Sequence, residues 1–114
     1  MGRRRTREEA RQKRSQEIIE LRAELAGLVG VADHRTISDL AQKIAERHYK
    51  NHEYEVAAEW ARAALQHDPF NTPARCYLVG SLEELGRHAE AVQVYQATRG
   101  DRTDWECVRG WLQD

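Results

Sequence analysis

The sequence lacks the long apolar runs that insert a chain into a membrane. No stretch of its 114 residues approaches the roughly 18 consecutive apolar residues that a transmembrane helix needs. The basic N-terminus is not followed by the apolar core of a secretory signal, because Ile18 and Ile19 stand between Glu17 and Glu20. We therefore expect a protein that acts in the cytoplasm, with no membrane partner.

Cysteine is also scarce. Cys76 and Cys107 are the only two cysteines, and they form no C-x-x-C motif. The composition favours two reduced thiols in a cytosolic protein, and a disulfide between the two residues is the alternative.

Patterns that support metal binding or catalysis are missing as well. His48 and His52 lie four residues apart, but no third ligand has a suitable spacing. The sequence contains no glycine-rich phosphate loop and no motif that pairs a nucleophile with a base. We expect no metal, no cofactor and no enzymatic activity.

The charge is small in total but unevenly distributed. The net charge is −1, whereas residues 1–14 have a local balance of +5 and the remaining hundred residues therefore carry −6. The sequence thus predicts a basic arm attached to an acidic body. The seven cations of the arm are Arg3, Arg4, Arg5, Arg7, Arg11, Lys13 and Arg14.

Apolar residues recur at steps of three and four along most of the chain, which is typical of amphipathic helices. The β-branched residues never alternate over four or more positions, so no strand is predicted. The second helix is predicted to begin near Thr36 or Ser38. The predicted helices span about 7–29, 38–50, 53–66, 72–86, 87–99 and 103–113.

Comparison of the chain with itself reveals a period of 34 residues. The segment that begins at Tyr54 corresponds to the one that begins at His88, and Ala57 corresponds to Ala91. The stretches HYKNHEYEVAAEWARAALQHDPFN and ELGRHAEAVQVYQ resemble the tetratricopeptide repeat family, whose units are helix–turn–helix pairs of this length. The Trp and the Leu-Gly pair that open a typical unit are missing from the first repeat, and in the second they are reduced to Leu78-Val79-Gly80.

The second unit carries a further resemblance. The stretch HDPFNTPARCYLVGSLEELGRHAEAVQVYQATR is similar to the helical-repeat domain of bacterial transcriptional activators. Both resemblances imply an all-α fold, in which helix–turn–helix pairs stack into a right-handed superhelix.

The charge pattern, the apolar periodicity and the resemblance together divide the chain into three parts. Residues 1–15 form the basic arm, residues 16–37 a capping helix with its linker, and residues 38–114 a tetratricopeptide-like domain. Its repeats cover about 38–71 and 72–105, followed by a capping helix at 103–113. Because about three repeats are usually needed for stability, we expect the two flanking helices to cover the open ends of a monomer. Homodimerisation is the alternative.

The resemblance also implies a site, since the first helix of each pair lines a concave groove that receives a partner peptide or helix. An ordinary solvated helix face is the alternative interpretation. The residues expected in the groove are Gln42, Lys43, Glu46, Tyr49, Lys50, Tyr77, Gly80, Glu83 and Glu84. The main functional hypothesis is therefore a non-enzymatic adaptor or scaffold with a protein partner.

The basic arm supports a second hypothesis, in which its cations contact phosphates and the repeats bind a protein. Such binding would depend strongly on salt and would not read the base sequence. Glu8 and Glu9 dilute the charge, so a solubilising helix end or a contact with an acidic protein remains open. The alternative function is thus a nucleic-acid-associated regulator.

Overall fold

The computed structural model describes residues 6–97. The cations Arg3, Arg4 and Arg5 and the expected capping helix at 103–113 lie outside the described residues. The described chain contains the helices α1 (Thr6–Leu28), α2 (His34–Lys50), α3 (Tyr54–His67), α4 (Thr72–Glu84) and α5 (His88–Ala97). All regular structure within 6–97 is helical, which confirms the prediction of an all-α helical-repeat fold.

The helices stack in chain order. Each one packs against the next, from α1 on α2 to α4 on α5, and α2 also contacts α4. A contact between the first helices of successive pairs is what a helical repeat requires, because each pair buries its apolar face only against its neighbour.

Small side chains allow α3 to lie close to its neighbours. Its inward face consists of the buried alanines Ala57, Ala58, Ala61 and Ala64. The largest fully buried apolar side chains are those of Ile44 on α2 and Leu82 on α4. Helix α4 is buried at every position from 74 to 82, so it is the central element of the core.

The sulfur of Cys76 lies in this core, with 1% of the residue exposed. Cys76 is disulfide-bonded, and its partner sulfur lies outside the described residues. The expectation of a reduced thiol is therefore wrong for this residue, and the alternative that the sequence left open applies.

Both helix pairs turn in the same way. A residue with positive φ follows the first helix of each pair, His52 (φ 63°) after α2 and Gly86 (φ 77°) after α4. In both turns the residue after the one with positive φ donates its backbone N–H to a carbonyl in the last turn of the preceding helix. This hydrogen bond is the pattern of a Schellman motif. These N–H to carbonyl bonds join Glu53 to His48 (2.9 Å) and Arg87 to Leu82 (2.8 Å). The two turns lie 34 residues apart, so the sequence period is also a backbone period.

Helix α2 begins earlier than the sequence indicated. The predicted start at Thr36 or Ser38 is wrong, because Asp33 caps the helix and His34 is its first residue. Oδ1 of Asp33 accepts a hydrogen bond from the backbone N–H of Thr36 at 2.8 Å, which lowers the pKa of the Asp33 carboxyl. Asp33 also shortens the predicted linker, which extended to residue 37.

Ser38 belongs to a buried polar network that joins three helices. Its hydroxyl donates to the carbonyl of Ala64 on α3 at 2.7 Å, and it accepts from Nδ2 of Asn71 at 2.8 Å. Oδ1 of Asn71 in turn accepts the N–H of Ala74 at 3.1 Å and caps α4. Both polar side chains are buried, so the network satisfies groups that would otherwise be costly to remove from water.

Replacing Asn71 tests this network. We expect Asn71→Ala to lower the free energy of unfolding by about 2–3 kcal/mol, because it removes both a helix cap and the donor to Ser38. Urea denaturation followed by circular dichroism measures the change. The control is Gln66→Ala at an exposed amide on α3, which should stay within about 0.5 kcal/mol of the parent. Equal losses in the two variants would contradict a structural role for the network.

Candidate functional site

A buried asparagine joins the basic segment of α1 to the repeats. Asn51 ends α2 and is 1% exposed. Its Oδ1 accepts a hydrogen bond from Nε of Arg14 at 2.6 Å, and its Nδ2 donates to the carbonyl of Arg11 and to Oγ of Ser15, both at 3.3 Å. The amide therefore satisfies three groups of α1 at once.

The described part of the arm is an ordered helix. Helix α1 begins at Thr6, in agreement with the helix predicted at about 7–29, and its basic segment is docked on the repeats. Arg7 and Lys13 are exposed, and the half-exposed Arg11 lies 3.9 Å from the carboxylate of Glu53. The cations from Arg7 to Arg14 thus lie on a helix, and Arg11 and Arg14 among them contact the repeats.

A cleft of about 280 Å³ opens between α1 and α2 beside Asn51. Basic and acidic side chains alternate around it, and it contains no large apolar group. The lining residues are Ala10, Lys13, Arg14 and Glu17 from α1, and Glu46, Arg47 and Lys50 from α2.

The carboxylates of the cleft are engaged by its own cations. Glu46 pairs with Arg47 and, at 3.5 Å, with Lys50, and it accepts a hydrogen bond from the hydroxyl of Tyr77 at 2.9 Å. Nε of Arg47 also lies 3.5 Å from Glu17. These pairs use two of the four cations.

The other two cations face the cleft without compensation. Arg14 donates a hydrogen bond to Asn51 only through its Nε. Lys13, which also lines the cleft, makes no ion pair within residues 6–97. The cleft consequently has two more positive than negative charges. A guanidinium with free terminal nitrogens beside an ammonium is a suitable pair of donors for a phosphate oxygen.

The centre of the expected groove lies inside the protein. Tyr77 is 4% exposed, and a Cβ built at Gly80 would lie 3.1 Å from the hydroxyl of Tyr49. The rings of Tyr49 and Tyr77 meet edge to face at 5.7 Å. Burial and the hydrogen bond to Glu46 raise the pKa of Tyr77. These four residues form the contact between α2 and α4.

The other groove residues surround this contact. Lys43, Lys50 and Glu84 are exposed and Gln42 is half-buried. Glu83 contacts Nδ1 of His88 at 2.8 Å. The role of all nine residues in binding a partner stays a prediction.

Sequence reasoning missed Arg47, Glu17 and Asn51. The i, i+3 spacing of Arg47 and Lys50 could have shown that these two cations share a face of α2. Nothing in the sequence indicates that Asn51 reaches α1, because its partners lie 36 to 40 residues away.

Stacked helix pairs define an all-α helical-repeat domain. The sequence profile of the family described as the bacterial transcriptional activator domain matches residues 32–101. The chain therefore belongs to this family, and the resemblance noted for its second unit is confirmed. No curated protein and no solved structure matches the chain. Within residues 6–97, none of the helices is both long and apolar enough to cross a membrane.

The match begins after α1, so the helix that carries the basic segment precedes the family domain. Asn51, by contrast, lies within the matched residues. The cleft is therefore assembled from one helix of the family domain and one helix outside it.

We expect Asn51→Ala to release α1 while the repeats stay folded. The substitution removes three hydrogen bonds to α1 but leaves the Ser38–Asn71 network intact. Native-state hydrogen exchange should then accelerate at least about tenfold over 6–28, because the loss of about 1.4 kcal/mol of local stability has that effect. Exchange in α4 serves as the internal control. Equal acceleration in both helices would contradict the local role.

Proposed function

We propose that this chain is a non-enzymatic module of a transcriptional regulator that contacts nucleic-acid phosphates through the cleft between α1 and α2. The observation that carries the proposal is a pair of positive charges in the cleft that no carboxylate of the cleft neutralises. They belong to Lys13 and Arg14, the last two cations of the basic arm. Membership of the transcriptional activator domain family supports a role in transcription, which takes place in the bacterial cytoplasm.

The chemistry of the cleft suits the nucleic-acid backbone better than the bases. Guanidinium and ammonium groups bind phosphate oxygens, whereas base recognition uses side chains that reach into a groove or stack on a base. The described face of α1 carries no aromatic residue. Binding should therefore be electrostatic, insensitive to sequence and weakened by salt.

In this proposal the helix pairs act as a rigid support. Helices α3 and α4 pack against α2, and Asn51 joins α1 to the end of α2. The helical backbone that carries the cations is consequently ordered before a ligand arrives, so less backbone entropy is lost on binding than for an unstructured arm.

Removing one cation from the cleft tests the proposal. We expect Lys13→Ala to weaken the binding of a fluorescent duplex DNA several-fold at low salt. It should also reduce the dependence of log K on log salt by about 0.9, the contribution of one phosphate contact. Fluorescence anisotropy at a series of salt concentrations measures both quantities.

The matched control is Arg22→Ala, which removes the same charge from an exposed position of α1 outside the cleft. This variant should change affinity and salt dependence much less. If the two variants weaken binding equally, the cleft has no special role and only net charge matters. If the parent protein does not bind duplex DNA at low salt, the proposal is wrong.

A protein partner on the face of α2 is the second candidate function. The observation that favours it is a rim of exposed charged residues, Lys43, Lys50 and Glu84. This rim surrounds the contact between α2 and α4, where Tyr49 and Tyr77 are packed together. Docking on such a rim would follow charge complementarity.

Charge reversal on this rim tests the second candidate. We expect Lys43→Glu combined with Glu84→Lys to abolish retention of a captured protein partner, while the helical circular dichroism signal stays unchanged. The net charge of this double variant equals that of the parent, so a loss of binding cannot be a bulk electrostatic effect. Retention of the partner at parental strength would exclude this face.

A further inference from the structure

Two histidines that are far apart in the sequence meet at one end of the α2–α3 pair. His34 is the first residue of α2 and His67 is the last residue of α3. Their Nδ1 atoms lie 3.0 Å apart, and the ring centroids lie 5.2 Å apart. Both side chains are exposed, so the pair is open to solvent and to ions.

The buried network fixes the helix ends that carry these rings. Ser38 lies one turn after His34 on α2, and Ala64 lies one turn before His67 on α3. The hydrogen bond of 2.7 Å between the Ser38 hydroxyl and the Ala64 carbonyl therefore ties the two helices together one turn from the histidines. The separation of the two Cα positions is set by this packing, so little freedom must be lost when the rings act together.

We propose that His34 and His67 form a binding site for a divalent transition-metal ion that prefers imidazole nitrogen, such as Cu²⁺. Metal–imidazole distances are about 2.0–2.1 Å, so two nitrogens that keep a separation near 3.0 Å when the rings rotate would subtend an angle of about 90° at the ion. This angle suits neighbouring positions in a square-planar or tetragonal complex, the geometry that Cu²⁺ and Ni²⁺ favour.

The surroundings are compatible with a cation. In the ion-free state the two rings meet edge to edge, and binding requires them to rotate so that both lone pairs converge on the ion. Both rings are exposed, which leaves room for this rotation. His67 ends α3, where the last carbonyls of a helix favour positive charge. The carboxyl groups of Asp33 and Asp68 adjoin the two histidines in the chain and offset the charge further.

The ion would be held by two protein ligands and by water. Within residues 6–97 no cluster of three or more His, Cys, Asp or Glu side chains has a metal-binding arrangement. A bound ion would connect the start of α2 to the end of α3 and bind only the folded chain. It should therefore stabilise the fold in proportion to the logarithm of its concentration.

Titration of the full 114-residue chain with Cu²⁺ tests the site. Isothermal titration calorimetry should detect one site whose affinity falls at least about tenfold in His34→Ala and in His67→Ala, because each removes one of two chelating ligands. Electron paramagnetic resonance of the Cu²⁺ complex should show coupling to two imidazole nitrogens. The parental melting temperature should rise with Cu²⁺ and that of both variants should not.

The control is His88→Ala, which removes an exposed histidine that contacts Glu83 instead of a second histidine. It should bind Cu²⁺ as the parent does. The proposal is overturned if His34→Ala and His67→Ala retain parental affinity, or if His88→Ala loses as much affinity as they do. Circular dichroism of each variant without metal establishes that the fold is intact, as expected for exposed side chains.

Discussion

The hydrogen bonds of Ser38 and Asn71 are the constraint on which the arrangement of the helices depends. They place one side chain from α2, one carbonyl from α3 and the cap of α4 within a single buried network. Alanine-rich surfaces can pack in several registers, because small side chains interlock weakly. A buried polar network whose members are satisfied in only one register selects among them. The α2–α4 contact and the His34–His67 pair follow from that choice.

A second buried amide has the corresponding role at the other end of α2. Asn51 terminates the helix and binds backbone and side-chain groups of α1, as Asn71 starts α4 and binds α2. The two asparagines thus connect each helix pair to what precedes it. The consequence is electrostatic, because docking through Asn51 places Lys13 and Arg14 beside Arg47 and Lys50 in one cleft.

Much of the fold was predictable from local patterns, whereas the site was not. The apolar periodicity and the 34-residue repeat depend on residues near one another in the chain, and these features located all five described helices. The start of α2 was placed too late, near Thr36 or Ser38, because a serine before an apolar run has the same local pattern whether it opens a helix or binds a distant carbonyl. Tyr77 was expected in an open groove, since no sequence feature shows how closely α2 approaches α4.

The sequence by itself determined the class of fold, the repeat, the uneven charge and the resemblance to the transcriptional activator domain, since each is a property of residue type and spacing along the chain. Only the tertiary structure decided which charges meet, which groove residues are buried and which histidines become neighbours. These outcomes depend on contacts between residues about 30 to 40 positions apart. Their geometry is set by the packing of whole helices, which no local pattern encodes.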